Sequence, residues 1–200
     1  AMASPSSMAF LKAAWACNSY YNALPDIVAE YMEQINGITG RDYRPFNYYG
    51  APDAERVIVA MGSSSGSIRE TVEYLTGRDE KVGFIDVHLY RPFSAKYFLS
   101  QLPDTVKIIT VNDRTKEPGA VGEPLYEDVC SVILETGRDI EVLACRYGLA
   151  GKDYTPAQVI AEYDNMKADQ PKNHFTVGIN DDVTHLSLEV GPEVNTVPEG

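Results

Sequence analysis

Cysteine is scarce in this chain. Its 200 residues contain three cysteines, Cys17, Cys130 and Cys145, and none of them belongs to a CxxC pair. An odd number of widely spaced cysteines argues against a disulfide framework and favours a reducing, cytoplasmic environment. The same spacing argues against an iron–sulfur cluster or a zinc ribbon held by this chain alone. We therefore expect a fold that depends on its hydrophobic core, without disulfides or metal ions.

Positive charge and long apolar runs are also lacking. The chain has 17 Lys and Arg against 29 Asp and Glu, a formal net charge of −12. So acidic a surface should repel nucleic acid and anionic membranes. No apolar run approaches the roughly 18 residues of a membrane span, so we expect neither a membrane nor a nucleic acid as partner. The 44% of hydrophobic residues is enough for a folded core and excludes a disordered chain.

Strand and helix patterns alternate from Arg56 onward. Short apolar runs predict strands at Val57–Met61, Val82–Leu89, Val106–Val111 and Ile140–Ala144. Amphipathic segments predict helices at Ser67–Leu75, Ala95–Leu102, Pro124–Thr136 and Pro156–Lys167, the last with Thr155 as N-cap. This alternation is typical of an α/β fold with three layers, α/β/α, built on an open, mostly parallel sheet.

The flanking segments lack this regularity. We interpret residues 1–24 as an irregular N-terminal extension, partly vector-derived, and residues 169–200 as an extended C-terminal tail. The α/β domain then covers residues 25–168. It begins with a helix over Asp26–Gln34, with Pro25 in its first turn, followed by an aromatic loop over residues 38–56 that needs a covering surface.

A serine-rich turn follows the first predicted strand of the α/β pattern. Backbone amides at a helix N-terminus can hold a phosphate, which makes Gly62, Ser63, Gly66 and Ser67 candidate anion-binding residues. The turn lacks both GxGxxG and GK[ST], so a tight turn with serine caps is the simpler reading. A stand-alone nucleotide- or anion-binding module is the alternative. The turn also fits GxSxG with Ser64 as nucleophile, which keeps a serine hydrolase as a third hypothesis.

A charged loop follows the third strand of the α/β pattern, at the edge where open α/β sheets bind ligands. Residues 112–124 combine five charged side chains with two glycines, and loops of this kind carry function. We take Arg114, Lys116 and Glu117 as interface or active-site-entrance candidates, together with Arg146 beyond the next strand. Arg146 could pair with a carboxylate at this edge or with an anionic ligand. The competing interpretation is a surface loop with solvated charges.

Two other motifs have structural interpretations. In Arg91–Ser94, Ser94 can cap the next helix and Phe93 can pack against it as a hydrophobic staple. Asn180, Asp181, Asp182 and His185 resemble a hard-metal cluster only loosely, so we favour a polar turn and expect no metal site.

Several long segments of unusual composition resemble segments of a known protein family. The chain resembles the pyruvate:ferredoxin (flavodoxin) oxidoreductases, also called pyruvate synthases, from about Cys17 to the end. The segments that match the family are Tyr48–Val59, Leu89–Ser94, Asp113–Tyr126, Arg146–Leu149 and Lys172–Leu188. The stretch is similar to the second domain of that enzyme, which has the fold of the transketolase C-terminal domain. The corresponding region of another 2-oxoacid oxidoreductase or of a sulfite reductase subunit remains an alternative.

The resemblance implies a supporting role for this stretch. The family enzyme converts pyruvate and coenzyme A to acetyl-CoA and CO2 with thiamine diphosphate and magnesium, and [4Fe–4S] clusters pass electrons to ferredoxin or flavodoxin. Its thiamine-binding and cysteine-rich regions lie outside the matched stretch, so we expect no catalytic residue and no cofactor here. The expected partners are the other domains of a homodimeric parent enzyme. The resemblance also implies that Arg114, Lys116 and Glu117 face the neighbouring domains.

Overall fold

The computed structural model describes residues 5–180 and 183–196. Within them the chain forms five α-helices and six β-strands. In chain order these are α1 (Pro5–Thr39), β1 (Phe46–Gly50), β2 (Arg56–Ala60), α2 (Ser65–Thr76), β3 (Val82–Val87), α3 (Ala95–Gln101), β4 (Ile108–Asp113), α4 (Pro124–Thr136), β5 (Glu141–Tyr147), α5 (Pro156–Asn165) and β6 (Phe175–Val177).

The six strands form one sheet in the order β1-β3-β2-β4-β5-β6. β3, β2, β4, β5 and β6 run parallel, and β1 pairs antiparallel with β3 at one edge. Every residue of β3 and β4 is buried, as expected for strands covered on both faces. The predicted open, mostly parallel sheet is confirmed.

Helices cover both faces of the sheet and complete the predicted three layers. Along β2, Ile58 and Ala60 face the core cluster that contains the buried residues of α2 and α5. Val57 and Val59 face the opposite cluster, which contains Phe98 of α3 and the buried residues of α4. The alternation follows from the two-residue side-chain period of a strand, which lets one apolar run serve two cores.

Two strands lie where the sequence predicted a loop and a tail. β1 falls inside the expected aromatic loop over residues 38–56, with Phe46 buried at 1% exposure. The prolines around β1 led us to predict a loop, although the aromatic residues of β1 favour a strand. β6 falls inside the expected extended tail and adds a parallel edge strand beside β5. With three residues it is too short to show a periodic pattern.

The irregular structure predicted for residues 1–24 is wrong for the described residues 5–24, whereas the helix predicted over Asp26–Gln34 is present as part of a longer one. One continuous helix, α1, replaces the expected irregular segment and the short helix beginning at Asp26. Pro25 lies inside α1 and is buried, so here it marks no helix start. Proline removes one backbone hydrogen bond from a helix interior, and the alanines, leucines and methionines around it favour a helix. No helix among the described residues is long and apolar enough to span a membrane.

Helices α3, α4 and α5 start at the predicted residues and α2 starts two residues early, but the expected serine and threonine caps make no capping hydrogen bond. Phe93 packs on Phe98 with ring centroids 5.6 Å apart, which confirms the predicted staple. Ser94 and Thr155 occupy the N-cap positions of α3 and α5, with Pro156 first in α5, but neither side chain makes a capping hydrogen bond. The serines before α2 likewise give no side-chain cap, since its N-cap residue Ser64 makes none.

Phe98 should be the most costly of the α3 side chains to truncate. It is fully buried and also packs on Phe46, with centroids 5.7 Å apart. Phe98→Ala is expected to lower the free energy of unfolding by about 3–5 kcal/mol, because it removes a large buried side chain and leaves a cavity. Urea unfolding measures this. Leu134→Ala, at an 82% exposed position of α4, is the control and should change stability by less than about 0.5 kcal/mol.

Candidate functional site at the carboxyl edge of the sheet

The strand order creates a crevice between β2 and β4. β2 has β3 on one side and β4 on the other, so the connections that leave β2 and β3 lead to opposite sides of β2. Open α/β sheets bind ligands outside the carboxyl ends of the strands at such a point. The turn after β2 and the charged loop after β4 therefore meet here, and the sequence predicted the position of the charged loop at this edge.

Arg114 connects the loops around this crevice. Its Nε donates a hydrogen bond to the backbone oxygen of Gly148 at 3.0 Å, and its Nη1 donates to Ser63 Oγ at 3.2 Å. Two of the predicted site residues, Arg114 and Ser63, are thus in contact. Gly148 has a φ of 60°, and a Cβ there would lie 2.9 Å from Arg114 Nε. A glycine at this position allows the arginine to approach the backbone.

Arg146 forms a largely buried ion pair. Its Nε lies 2.7 Å from Glu123 Oε1, and its Nη1 donates to the backbone oxygen of His174 at 3.0 Å. The Glu123 side chain is 1% exposed and that of Arg146 is 14% exposed. Burial alone would raise the pKa of Glu123, but the Arg146 guanidinium holds it below its usual value. Arg146 thus pairs with a carboxylate, the first of the two partners considered for it.

The other charged candidates lie on the outside of the loop. Lys116 Nζ lies 3.5 Å from Glu123 Oε1 and donates to the backbone oxygen of Glu117 at 3.0 Å. Arg114, Lys116 and Glu117 are all exposed. Asp113, at the end of β4, accepts hydrogen bonds from the backbone amides of two residues in the first turn of α4, and burial raises its pKa to about 6. The loop is thus anchored at both ends, with three charges facing outward.

Removing Arg146 should destabilise the fold strongly. Arg146→Met leaves the Glu123 carboxylate buried without its partner, which is expected to cost about 3–5 kcal/mol in the free energy of unfolding. Chemical denaturation gives the value. As a control, Lys81→Met breaks the ion pair with Asp53, in which both side chains are about half exposed. That change should have little effect, since exposed pairs are weak, and equal losses in the two variants would contradict this account.

The serine-rich turn faces a carboxylate. Gly62–Ser64 form one 3₁₀ turn, and Ser65 Oγ at the start of α2 donates to Asp86 Oδ1 at 2.7 Å. Asp86 Oδ2 lies 3.3 Å from His88 Nε2, and the hydrogen bond between them raises the pKa of His88. A carboxylate beside a helix N-terminus interacts favourably with the helix dipole and repels other anions. This charge opposes anion binding at Gly62, Ser63, Gly66 and Ser67.

The hydrolase and metal hypotheses gain no support. Ser64 is buried and its Oγ accepts a hydrogen bond from the Tyr147 hydroxyl at 2.9 Å. The imidazole of His88 contacts Asp86, and that of His174 packs edge-on against Tyr126. Asp181 and Asp182 lie outside the described residues. Among residues that the structure does describe, no group of three or more His, Cys, Asp and Glu could hold a metal.

A buried polar cluster behind this edge was missed by sequence reasoning. Glu162 of α5 is fully buried, and its Oε1 accepts hydrogen bonds from the Tyr154 hydroxyl at 2.7 Å and from Cys145 Sγ at 3.4 Å. Asn112 Nδ2 donates to the same Tyr154 oxygen at 2.8 Å. Burial raises the pKa of Glu162 to about 7. The sequence signal that could have revealed this buried glutamate is its helical spacing from Val159 and Met166, which are both core positions.

Glu162 should lower the free energy of unfolding as the pH rises. Its pKa rises from 4.5 to about 7 on folding, so the folded protein binds more protons than the unfolded chain between these values. The free energy of unfolding then decreases across that window by up to about 1.4 kcal/mol per pH unit. Urea titrations from pH 4 to 8 should show that Glu162→Gln removes this component. Asp164→Asn, at an exposed position of the same helix, should retain the wild-type profile.

A family comparison decides what this domain is. Residues 54–159, slightly more than half of the chain, match the family model described as pyruvate:ferredoxin oxidoreductase core domain II. The chain belongs to the pyruvate:ferredoxin oxidoreductase family. The matched range begins just before β2 and ends within α5, so it contains the whole carboxyl-edge crevice.

Curated relatives support this membership and are much longer than the chain. A pyruvate:ferredoxin oxidoreductase of Moorella thermoacetica is 59% identical over 185 residues, which are 92% of this chain and 16% of the relative. A pyruvate-flavodoxin oxidoreductase of Enterobacter agglomerans is 50% identical over 186 residues, with the same two shares. The chain thus spans about one sixth of these oxidoreductases, and the resemblance stated from the sequence is confirmed.

Solved structures overlap smaller parts of this chain. A 2-oxoglutarate:ferredoxin oxidoreductase from Magnetococcus marinus covers 64% of the chain at 19% identity, using 20% of its own length, with a TM-score of 0.45. A transketolase from Pichia stipitis covers 38% of the chain at 25% identity, using 12% of its own length, with a TM-score of 0.30.

Proposed function

We propose that this chain is a non-catalytic core domain that supports its neighbours in a pyruvate:ferredoxin (flavodoxin) oxidoreductase. The proposal rests on the contacts made by two arginines at the carboxyl edge, where an open α/β sheet would bind a ligand. Arg114 bridges the crevice to Ser63 and Gly148, and Arg146 is paired with Glu123. Both arginines of this edge already have partners within the chain, which favours a structural role.

The exposed charges of the loop after β4 supply contacts for neighbouring domains. Lys116 and Glu117 face outward from a loop that Asp113 and Glu123 anchor at its two ends, and Arg114 is also exposed although it donates to Ser63 and Gly148. Anchoring limits the conformational entropy that is lost when the loop meets a partner. These residues therefore suit an interface, or the entrance to an active site on an adjacent domain.

The parent enzyme would convert pyruvate and coenzyme A to acetyl-CoA and CO2 and pass two electrons to ferredoxin or flavodoxin. Thiamine diphosphate with magnesium would supply the carbon chemistry, and [4Fe–4S] clusters would carry the electrons. The three cysteines here lie on α1, α4 and β5 and do not fit a cluster site. We place both cofactors on other domains of a homodimeric, cytoplasmic parent, and the free cysteines agree with a reducing compartment.

The rival function, a stand-alone anion- or nucleotide-binding module, has an unfavourable charge at its centre. Asp86 accepts the Ser65 hydroxyl hydrogen bond directly beside the turn that would bind the anion. Titration calorimetry with ATP, NAD and coenzyme A separates the two functions. The proposal predicts no binding at micromolar concentrations, and a micromolar dissociation constant for any of the three would favour the rival.

A domain exchange tests the proposed function directly. Replacing the matching 185-residue segment of the Moorella relative with this chain should preserve pyruvate-dependent reduction of ferredoxin, while the chain alone should show none. In the chimera, the double change Arg114→Glu with Lys116→Glu should lower activity about tenfold or more, because reversed charges repel the partner surface. Arg78→Glu, an exposed position beyond the carboxyl-terminal end of α2, is the control and should retain activity. Turnover by the isolated chain would contradict the proposal.

A further inference from the structure

α1 is unusually apolar for a helix at the surface. It has 35 residues, and at 1.5 Å per residue it is about 52 Å long. Its only charged residues are Lys12, Asp26, Glu30 and Glu33, whereas 23% of the whole chain is charged. A helix that is polar on most of its surface needs no cover, but a helix with this composition does.

Only one narrow side of α1 contacts the α/β domain. Pro25 is buried, Asp26 Oδ1 lies 2.8 Å from Lys96 Nζ and 2.7 Å from the Tyr97 hydroxyl, and Asn36 makes two hydrogen bonds with the backbone of Tyr43. These contacts fix the second half of the helix against the domain. The apolar side chains beside them remain uncovered.

Six exposed apolar side chains of α1 lie along one side of the helix, while Met8, Leu11 and Trp15 are exposed on the other side of its first half. Tyr31 and Ile38 are seven residues apart, a spacing close to two helical turns. At 3.6 residues per turn, six exposed side chains fall within an arc of roughly 100°. We call these six the α1 stripe: Phe10, Tyr20, Ile27, Tyr31, Ile35 and Ile38. Four of them are more than 60% exposed, and the largest exposure is 85%, at Ile38.

The shape of the stripe disfavours a two-stranded coiled coil with a second copy of the chain. Coiled coils have a narrow apolar seam with charged residues on both sides of it. Here Tyr21 and the half-buried Val28 extend the stripe on one side, and Ala16 and Ala23 lie on the other. A wide apolar stripe is the kind that faces a globular core.

The length of the relatives indicates that another part of the same polypeptide covers the stripe. The Moorella match covers 92% of this chain, so only about 16 residues lie outside it and at least 19 of the 35 residues of α1 lie within it. The same match occupies only 16% of the relative. In such a protein, more than four fifths of the polypeptide is available to cover α1 at the high local concentration that a covalent link provides.

We propose that the α1 stripe is an interdomain docking surface that packs against another domain of the same full-length polypeptide. This inference rests on the proposed function. α1 then lies between two bodies, with Pro25 and Asn36 on its inner side and the stripe on its outer side. Burial of aromatic and branched side chains drives the association, since together they present a large apolar area.

Site-specific labelling tests the docking surface. The full-length polypeptide and the 200-residue chain, each carrying Cys17→Ala, receive a single new cysteine at Tyr31→Cys or at Asn22→Cys. Tyr31 belongs to the stripe, and Asn22 is an exposed residue on the opposite face. Maleimide labelling at Tyr31→Cys, followed by peptide mass spectrometry, should be about tenfold or more slower in the full-length protein, because a buried interface core excludes solvent. Labelling at Asn22→Cys should differ by less than about threefold.

Two outcomes would overturn the inference. Equal labelling of Tyr31→Cys in both proteins would leave the stripe uncovered, and protection that grows with the concentration of the isolated chain would assign it to a second copy. Circular dichroism of each variant confirms that α1 is still helical. If the domain-exchange chimera is active while the stripe labels freely, this inference fails and the proposed function stands. Turnover by the isolated chain would reject the proposed function independently of the labelling result.

Discussion

The structure depends on one topological constraint, the position of β2 between β3 and β4. The chain adds β3 on one side of β2 and then crosses back to add β4 on the other side, with all three strands parallel. Because β3 and β4 lie on opposite sides of β2, two loops meet at the carboxyl edge and leave a crevice between them. Arg114 spans that crevice by hydrogen bonds to Ser63 and Gly148. An edge that other α/β proteins use for a ligand is here bridged by an exposed arginine, and this bridge favours a supporting role for the domain.

Buried charge stabilises the same edge. Glu123 and Arg146 form a pair in which both side chains are largely removed from water, while Asp113 holds the start of α4 through two backbone amides. Such groups are costly to bury unless each has a partner. They explain how a loop rich in charge and glycine keeps a fixed shape, with Lys116 and Glu117 outward. Behind them, Glu162 shows that a carboxyl group can lie within the core when hydroxyl and thiol groups donate to it.

The sequence predicted the parts of the fold whose local pattern agrees with the tertiary structure. The apolar runs at β2, β3, β4 and β5 and the position of the charged loop at the carboxyl edge are examples. β1 and β6 depend on pairing with distant strands, so their short segments carried little local signal. α1 was missed because Pro25, a usual helix-start residue, lies in its interior. The local pattern could not place Asp86 beside the serine turn, because that contact depends on β3 lying next to β2 in the sheet.

The central claim is that this chain is one supporting domain of a much longer oxidoreductase. The intact mass of the native polypeptide that carries this sequence tests it most directly. Since the chain spans about 16% of the Moorella and Enterobacter relatives, the account predicts a native polypeptide roughly six times the mass of the 200-residue chain. A native product of only 200 residues would contradict it.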